Sequence, residues 1–271
     1  MAGDGKRGAS VRVRGVTKQF QTRRGPLVAL EDVSFDCAPG EFVAVVGPSG
    51  CGKSTLLSLI AGLEPSSEGS VEIRGQRVTS VRHDVGLMFQ KDALLPWKTV
   101  ADNVALPLHF RGVPRAQARE RAAGWLRRVG LSQFMDYYPH QLSGGMRKRG
   151  SLATLLSYSP DVLLMDEPFS ALDVQTRKLM EDELLELWTE ERKTVVFITH
   201  DLEEAIALSD RVIVMTASPG RIKNNYQVDL PRPRHVANIR FDPAFVSLYR
   251  RMWDDLEQEV AIAYQRQLVA T

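Results

Sequence analysis

The residues whose types and spacing best suit chemistry are Gly47, Pro48, Ser49, Gly50, Cys51, Gly52, Lys53, Ser54 and Thr55. They match G-x-x-x-x-G-K-[ST], a loop that wraps phosphate oxygens in backbone N–H groups. Its glycines let the backbone turn tightly and aim those groups inward. A helix starting at Lys53 would point its positive dipole end at the same phosphates. Lys53 offers a full charge to β- and γ-phosphates, and Ser54 a hydroxyl to Mg²⁺.

Such a loop needs a carboxylate at the end of a neighbouring strand. Val162-Leu163-Leu164-Met165-Asp166-Glu167 provides one. Four apolar residues read as a buried strand, and Asp166 emerges at its carboxyl end, where ligand sites of open α/β sheets lie. Asp166 is expected to hold Mg²⁺ through its water shell. Glu167, next in line, can orient and deprotonate an attacking water. An acidic pair on a strand end is a weak signal by itself and becomes strong only in company with the phosphate loop.

The elements that must position these residues alternate between strand and helix. Residues 11–46 read as strands, and Phe42–Val46 is a continuous apolar run, as expected of a strand buried on both faces. Lys53–Ala61 reads as a helix ended by Gly62 and Pro65. Val71–Ile73 and Val85–Phe89 read as short strands. From Lys91 to about Ser157 strand signals nearly vanish, and Arg115–Val129 and Met146–Leu156 read as helices. Strands return at Val162–Met165, Val195–Thr199 and Arg211–Met215, with a helix over Lys178–Glu191. The alternation predicts an α/β fold with a mainly parallel sheet. Pro231-Arg232-Pro233-Arg234 reads as a solvated linker. Pro243 to about Gln267 reads as one amphipathic helix carrying Phe245, Leu248, Met252, Trp253, Leu256 and Val260.

Composition narrows the class. The 271 residues suffice for one large domain, or one with a subdomain. Lys plus Arg number 35 against 33 Asp plus Glu, a balance that leaves no large electrostatic footprint for nucleic acid. Cys37 and Cys51 form no metal-ligand pattern and suit a reduced, cytosolic protein. MAGDGKRGAS is polar and does not read as a signal peptide. No apolar run approaches the roughly 18 residues of a membrane span. If a membrane is involved, the chain sits on it or on a partner.

Leu142-Ser143-Gly144-Gly145-Met146 precedes the Asp-Glu strand and resembles the signature motif of ABC (ATP-binding cassette) transporter ATPases. The resemblance extends from Val11 to about Gly220. It implies a P-loop NTPase (RecA-like) α/β core with an antiparallel β edge and an inserted α-helical subdomain. The expected layout is a disordered tail over 1–10 and an ATPase domain over 11–220. Its core is 11–90 and 158–220, its helical subdomain 91–157, and a C-terminal extension with the amphipathic helix follows over 221–271. The residues Ser143, Gly144 and Gly145 open a helix whose free N–H groups form a second anion site. In the family that site faces the γ-phosphate held by a second copy, so two ATP are sandwiched between two subunits.

Other positions match the family one by one. Phe20 lies where an aromatic ring stacks on adenine. Gln90 resembles the glutamine that senses Mg²⁺ and the attacking water. Ser170-Ala171-Leu172-Asp173 resembles the loop that touches the partner subunit, and His200 the switch histidine near the γ-phosphate. The stretch Asp92-Ala93-Leu94-Leu95-Pro96-Trp97-Lys98-Thr99-Val100 corresponds to the family's contact with a membrane permease, although Leu94 and Trp97 would equally suit packing inside the subdomain.

Leu94-Leu95-Pro96-Trp97, Ser143-Gly144-Gly145-Met146-Arg147-Lys148-Arg149 and Ala217-Ser218-Pro219-Gly220-Arg221-Ile222 resemble the nitrate, sulfonate and taurine importer group. This implies a separate permease, indirectly a solute-binding protein, and a place on the cytoplasmic face of the membrane. The alternatives are a low-turnover ATP-binding regulatory module and the ATPase of a non-import system. Two departures bear on turnover. Gly150 stands inside the signature helix, at a cost of about 1 kcal/mol relative to Ala, and Thr154 replaces a cation.

Overall fold

The computed structural model describes residues 8–23, 25–91 and 93–269. Asp92 and residues 1–7 of the expected tail lie outside them. In chain order the first half comprises β1 (Val11–Thr22), β2 (Gly25–Cys37), β3 (Phe42–Val46), α1 (Lys53–Ile60), β4 (Glu68–Ile73), β5 (Gln76–Arg77), β6 (Val85–Met88), α2 (Val100–Phe110) and α3 (Arg115–Arg128). There follow α4 (Gly144–Ser157), β7 (Val162–Asp166), α5 (Val174–Glu191), β8 (Thr194–Ile198), α6 (Leu202–Leu208), β9 (Arg211–Met215), β10 (Ile222–Gln227), α7 (Val236–Ile239) and α8 (Pro243–Val269).

Two sheets organise the chain. The larger runs β10-β9-β3-β8-β7-β6, and the smaller is antiparallel in the order β2-β1-β4-β5. In the larger sheet β9, β3, β8, β7 and β6 are parallel and β10 closes one edge antiparallel. Every residue of β3, β7 and β8 is buried, which is why their sequences run apolar without alternation. Successive side chains still point to opposite faces. Phe42, Ala44 and Val46 pack with the helical side, Val43 and Val45 with α1 and the antiparallel sheet. Helix α1, carrying the phosphate loop at its start, is thereby wedged between the two sheets.

The parallel order sets the site. Loops leaving the carboxyl ends of β3, β8, β7 and β6 lie side by side, and these carry Gly47, His200, Glu167 and Gln90. The insertion between β6 and β7 is helical, as expected, with α2, α3 and α4 around buried Val104, Leu126 and Leu152.

Several expectations need correction. The core sheet continues past residue 220, because β10 pairs with β9 from Ile222 opposite Met215 to Gln227 opposite Arg211. Of the expected disordered tail, Gly8 donates its N–H to Arg192 O at 2.8 Å and Ala9 is buried. The arginines of the Pro231–Arg234 stretch are not solvated. Arg234 is 6% exposed. It donates to the carbonyls of Ile206, Ala207 and Ser209 at the end of α6, and to those of Val228 and Leu230. Arg232 pairs with Asp210 at 2.7 Å and lies over the buried Trp188 ring. A planar guanidinium with five donors suits carbonyls that a helix end leaves unpaired. Helix α8 packs on the core through Phe245, Leu248 and Met252. Its Glu259 accepts from Ala217 N at 2.8 Å and pairs with Lys223 at 3.0 Å.

Candidate active site

The phosphate loop has the geometry its glycines suggest. Gly52 caps α1 at φ 99° with no side-chain cap, so the helix's first N–H groups have no partner within the helix. A Cβ on Gly52 would fall 2.7 Å from Leu30 Cδ2 and 2.8 Å from Ala29 O. Lys53 is 8% exposed and folds back on its own loop, donating to Gly47 O and Pro48 O at 2.8 Å each. Cys51 is a buried free thiol whose pKa burial pushes up, against the opposing pull of Lys53. The loop therefore presents N–H dipoles and one ammonium, and no negative charge, to whatever it surrounds.

Behind the loop stands a support that motif reading does not reveal. Gly220 N donates to Ala29 O at 3.0 Å, and Gly220 O accepts from Glu31 N at 3.0 Å. A Cβ at Gly220 would sit 2.0 Å from Cys51 O. The loop after β9 thus touches the backbone of the phosphate cradle directly.

Opposite the cradle, Asp166 ends β7 in a buried position. Burial pushes its carboxyl up, while a hydrogen bond from Ser54 pulls it down. Neighbouring Glu167 raises it further, and Lys53 and Lys148 lower it. Ser54 and Asp166 together present hard oxygen donors, the set that Mg²⁺ prefers. Glu167 adopts φ 46°, a left-handed conformation that costs a non-glycine residue about 1–3 kcal/mol. It is held there by its N–H to Ile198 O at 2.9 Å and by Ser170 Oγ donating to its carbonyl at 2.9 Å. The turn aims the carboxylate along the strand ends.

Three residues anticipated for the reaction meet there. Gln90 Nε2 donates to Glu167 Oε2 at 3.0 Å. His200 Nδ1 lies 3.4 Å from Glu167 Oε1. The histidine turn is set by Thr199, whose hydroxyl donates to Glu204 Oε2 at 2.6 Å and accepts from Asp201 N at 3.0 Å. A carboxylate between an amide and an imidazole can accept a water proton while its neighbours orient the water.

The other anticipated residues lie around this centre. Phe20 is half-buried on β1 opposite Leu27, with Lys18 Nζ 4.8 Å from its ring centroid. It belongs to the same sheet whose Ala29 and Leu30 back Gly52. Ser143 caps α4 by accepting from Met146 N at 3.2 Å, followed by Gly144 and Gly145 in the first turn. A Cβ on Gly145 would meet Leu172 at 3.1 Å, so the two loops expected at a subunit contact touch within one chain. Asp173 caps α5 by accepting from Thr176 N at 3.0 Å, and that bonding holds its carboxylate below the usual range.

The stretch after Gln90 divides. Leu94 is buried, whereas Trp97 is 71% exposed. Buried Asn103 fixes the turn between them, accepting from Leu95 N at 2.7 Å and donating to the carbonyls of Leu95, Lys98 and Thr99. A groove adjoins it, lined by Leu87, Phe89, Leu94, Ser151, Thr154 and Tyr158 among others. A Cβ on Gly150 would lie 3.3 Å from Leu94 Cδ1, so the glycine in α4 admits Leu94 close to the helix. Thr154 turns its hydroxyl onto Gly150 O at 2.9 Å.

Motif reading assigns no role to one further residue. Lys148, inside the Arg147-Lys148-Arg149 run, is 3% exposed and donates to Phe89 O at 3.1 Å and to Gln90 O. The signal that finds it is helical spacing. Lys148, Leu152 and Leu155 stand at i, i+4 and i+7, and all three are buried.

Cradle, paired carboxylates and polar cluster at the ends of one parallel sheet define the class, a P-loop nucleoside triphosphatase. The ABC transporter family model matches residues 30–170. The chain is 47% identical over 234 residues to the taurine import ATP-binding protein TauB of Rhizobium johnstonii, covering 84% of this chain and 89% of that one. It is 41% identical over 232 residues to the aliphatic sulfonates import ATP-binding protein SsuB of Bacillus cereus, covering 86% and 91%. A solved dimeric structure of an ATP-binding cassette in a post-hydrolysis state, bound to ADP and Pi, superposes with TM-score 0.75 at 32% identity, covering 82% of this chain and all of that one. The chain belongs to the ABC transporter family and is an ABC-type ATPase.

Proposed function

We propose that this chain is the ATP-hydrolysing subunit of an ABC importer. Two copies close around two ATP at the cytoplasmic face of the membrane and drive a separate permease, itself supplied by a solute-binding protein. The solutes are small anions or zwitterions of the nitrate, sulfonate and taurine kind. The observation that carries the reading is the convergence of Gln90 and His200 on Glu167 beside the Lys53 cradle. The importer names of the taurine and sulfonate relatives support the direction of transport. Among the described residues no helix is long and apolar enough to cross a membrane, which suits a subunit that relies on a partner for the span.

The residues divide the work as follows. The N–H groups of Gly50–Thr55 and the ammonium of Lys53 bind the triphosphate, Lys53 exchanging the carbonyls of Gly47 and Pro48 for phosphate oxygens. Phe20 stacks on the adenine. Ser54, Asp166 and the Gln90 side-chain oxygen would hold Mg²⁺. When bound, that ion neutralises charge on the β- and γ-phosphate oxygens. Glu167 accepts the proton of the attacking water, and Gln90 and His200 hold the water in line. Ser143, Gly144 and Gly145 of the partner copy close the site over the γ-phosphate, and Asp173 lies at the same contact. Trp97, held outward by Asn103 beside the Phe89–Thr154 groove, is the contact with the permease.

The test is ATP hydrolysis by the chain with and without its permease in vesicles. The reading expects magnesium-dependent phosphate release stimulated by the permease. It expects loss of stimulation in Trp97→Ala, with hydrolysis by the isolated chain retained. Binding of ATP without turnover in either setting would overturn it in favour of a regulatory module.

A further inference from the structure

We infer that Lys148 is a positioning residue: it ties the signature helix α4 to the catalytic glutamine turn, so that phosphate contact at one ATP site sets the geometry of the base in the other. The inference rests on the two-subunit reading above.

Lys148 is a buried ammonium between two half-buried arginines, Arg147 donating to Leu142 O at 2.7 Å and Arg149 to Val129 O at 3.1 Å. Burial of such a group is tolerated only with partners. Its Nζ donates to Phe89 O at 3.1 Å and to Gln90 O. Those carbonyls belong to the turn leaving β6, not to α4. An ammonium on a four-carbon stem has three rotatable donors and can satisfy two adjacent carbonyls at once. The side chain of the same Gln90 donates to Glu167 Oε2 at 3.0 Å.

Three rigid links therefore run in series. Ser143 caps the tip of α4. Lys148 follows five residues later, about 7.5 Å along the helix axis. It grips the backbone of Gln90, which in turn grips the proposed base. Ser143 serves the partner's ATP, whereas Gln90 and Glu167 serve the chain's own. When the tip of α4 is drawn onto a phosphate in the partner, the pull reaches Gln90 through Lys148. The signature helix and the catalytic glutamine then move as one body, and the two sites fire in concert. A second tie, Leu94 packed close to Gly150, follows the same path and keeps the segment after Gln90 on the helix.

The test compares Lys148→Met, Lys148→Gln and Lys148→Arg in the chain assembled with its permease. Steady-state hydrolysis is read as kcat, KM and Hill coefficient for ATP, and trinitrophenyl-ATP binding to the chain is measured separately. We expect a Hill coefficient above 1 for the unmodified chain. In Lys148→Met it should fall to 1, with kcat at least tenfold lower. Trinitrophenyl-ATP affinity should stay within threefold, and Lys148→Arg should recover at least half of kcat. If the methionine variant does not fold, the ranking Arg above Gln in both kcat and Hill coefficient supports the tie, and equal values for the two overturn it. Unmodified kcat and cooperativity in Lys148→Met overturn it, as does parallel loss of nucleotide affinity and thermal stability, which marks a merely structural lysine. The single variant Glu167→Gln, with Lys148 intact, separates this from the reading beneath. If that protein forms no ATP-dependent dimer, the two-subunit reading fails. If it dimerises and Lys148 variants hydrolyse cooperatively, only the tie fails.

Discussion

The side-chain amide of Gln90 donates to the Glu167 carboxylate at 3.0 Å, joining segments 77 residues apart in sequence. Glu167 also sits at φ 46°, so its aim depends on its neighbours more than on rotamer preference. Removing the amide should misplace the carboxylate without touching the cradle. Gln90→Ala is expected to lower kcat by roughly tenfold to a hundredfold, since small misplacements near the reacting atoms carry costs of that order. KM for ATP should change less than about threefold, as for a group acting mainly in the transition state. Steady-state phosphate release is the measurement, and a rise in KM with unchanged kcat would assign Gln90 to binding instead.

Gly220 tests the support behind the phosphate loop. Its φ is ordinary, so sterics alone decide: an added methyl would sit 2.0 Å from Cys51 O. Gly220→Ala should destabilise the chain by roughly 1–3 kcal/mol, the usual range for overpacking, and weaken ATP binding by displacing the loop. Thermal melting and nucleotide titration check this together. Unchanged melting and affinity would mean that the loop after β9 yields freely.

What the chain discloses in sequence, and what it withholds, divides along a physical line. Asp166, Gln90 and His200 are legible because each follows an apolar run that can only be a buried strand, and the parallel order of those strands brings their ends together. Helix α8 is legible from its periodicity, yet its docking through Glu259 is not, because a carboxylate that caps a distant loop looks like any surface acid. Strand β10 reads Ile-Lys-Asn-Asn-Tyr-Gln, polar because it lies on an edge, and so carries no strand signal. The partners of Arg234 and Lys148 are hidden for a common reason. Cations in a charged run are ordinarily solvated, and only tertiary structure reveals the carbonyls that bury them.

A pH dependence follows from Glu181, which is 2% exposed beside Glu204. Burial, reinforced by the charges of Glu204 and Asp201, pushes its carboxyl up to about 8 from an ordinary value of 4.5. Between those values the folded chain keeps a proton that the unfolded chain has lost. This contribution to stability is complete below about pH 4.5, falls as pH rises toward 8, and stays lost above it. The slope is at most about 1.4 kcal/mol per pH unit. Glu204 beside it is pushed up by burial as well, so urea midpoints at pH 5.5 and 8.0 should differ more for the unmodified chain than for Glu181→Gln, in which one of the two coupled carboxyls is removed. Equal slopes for the two proteins would show that Glu181 is charged when folded.

The central claim is that each ATP is held by Lys53 of one copy and Ser143 of the other. The most direct measurement is the solution mass of Glu167→Gln, alone and with Ser143→Arg, at saturating ATP and Mg²⁺. We expect the single variant to reach about twice the 30.3 kDa chain mass. Adding Ser143→Arg should return it to one chain mass while trinitrophenyl-ATP still binds. A single chain mass for Glu167→Gln with nucleotide bound, or a dimer that survives Ser143→Arg, would contradict the account.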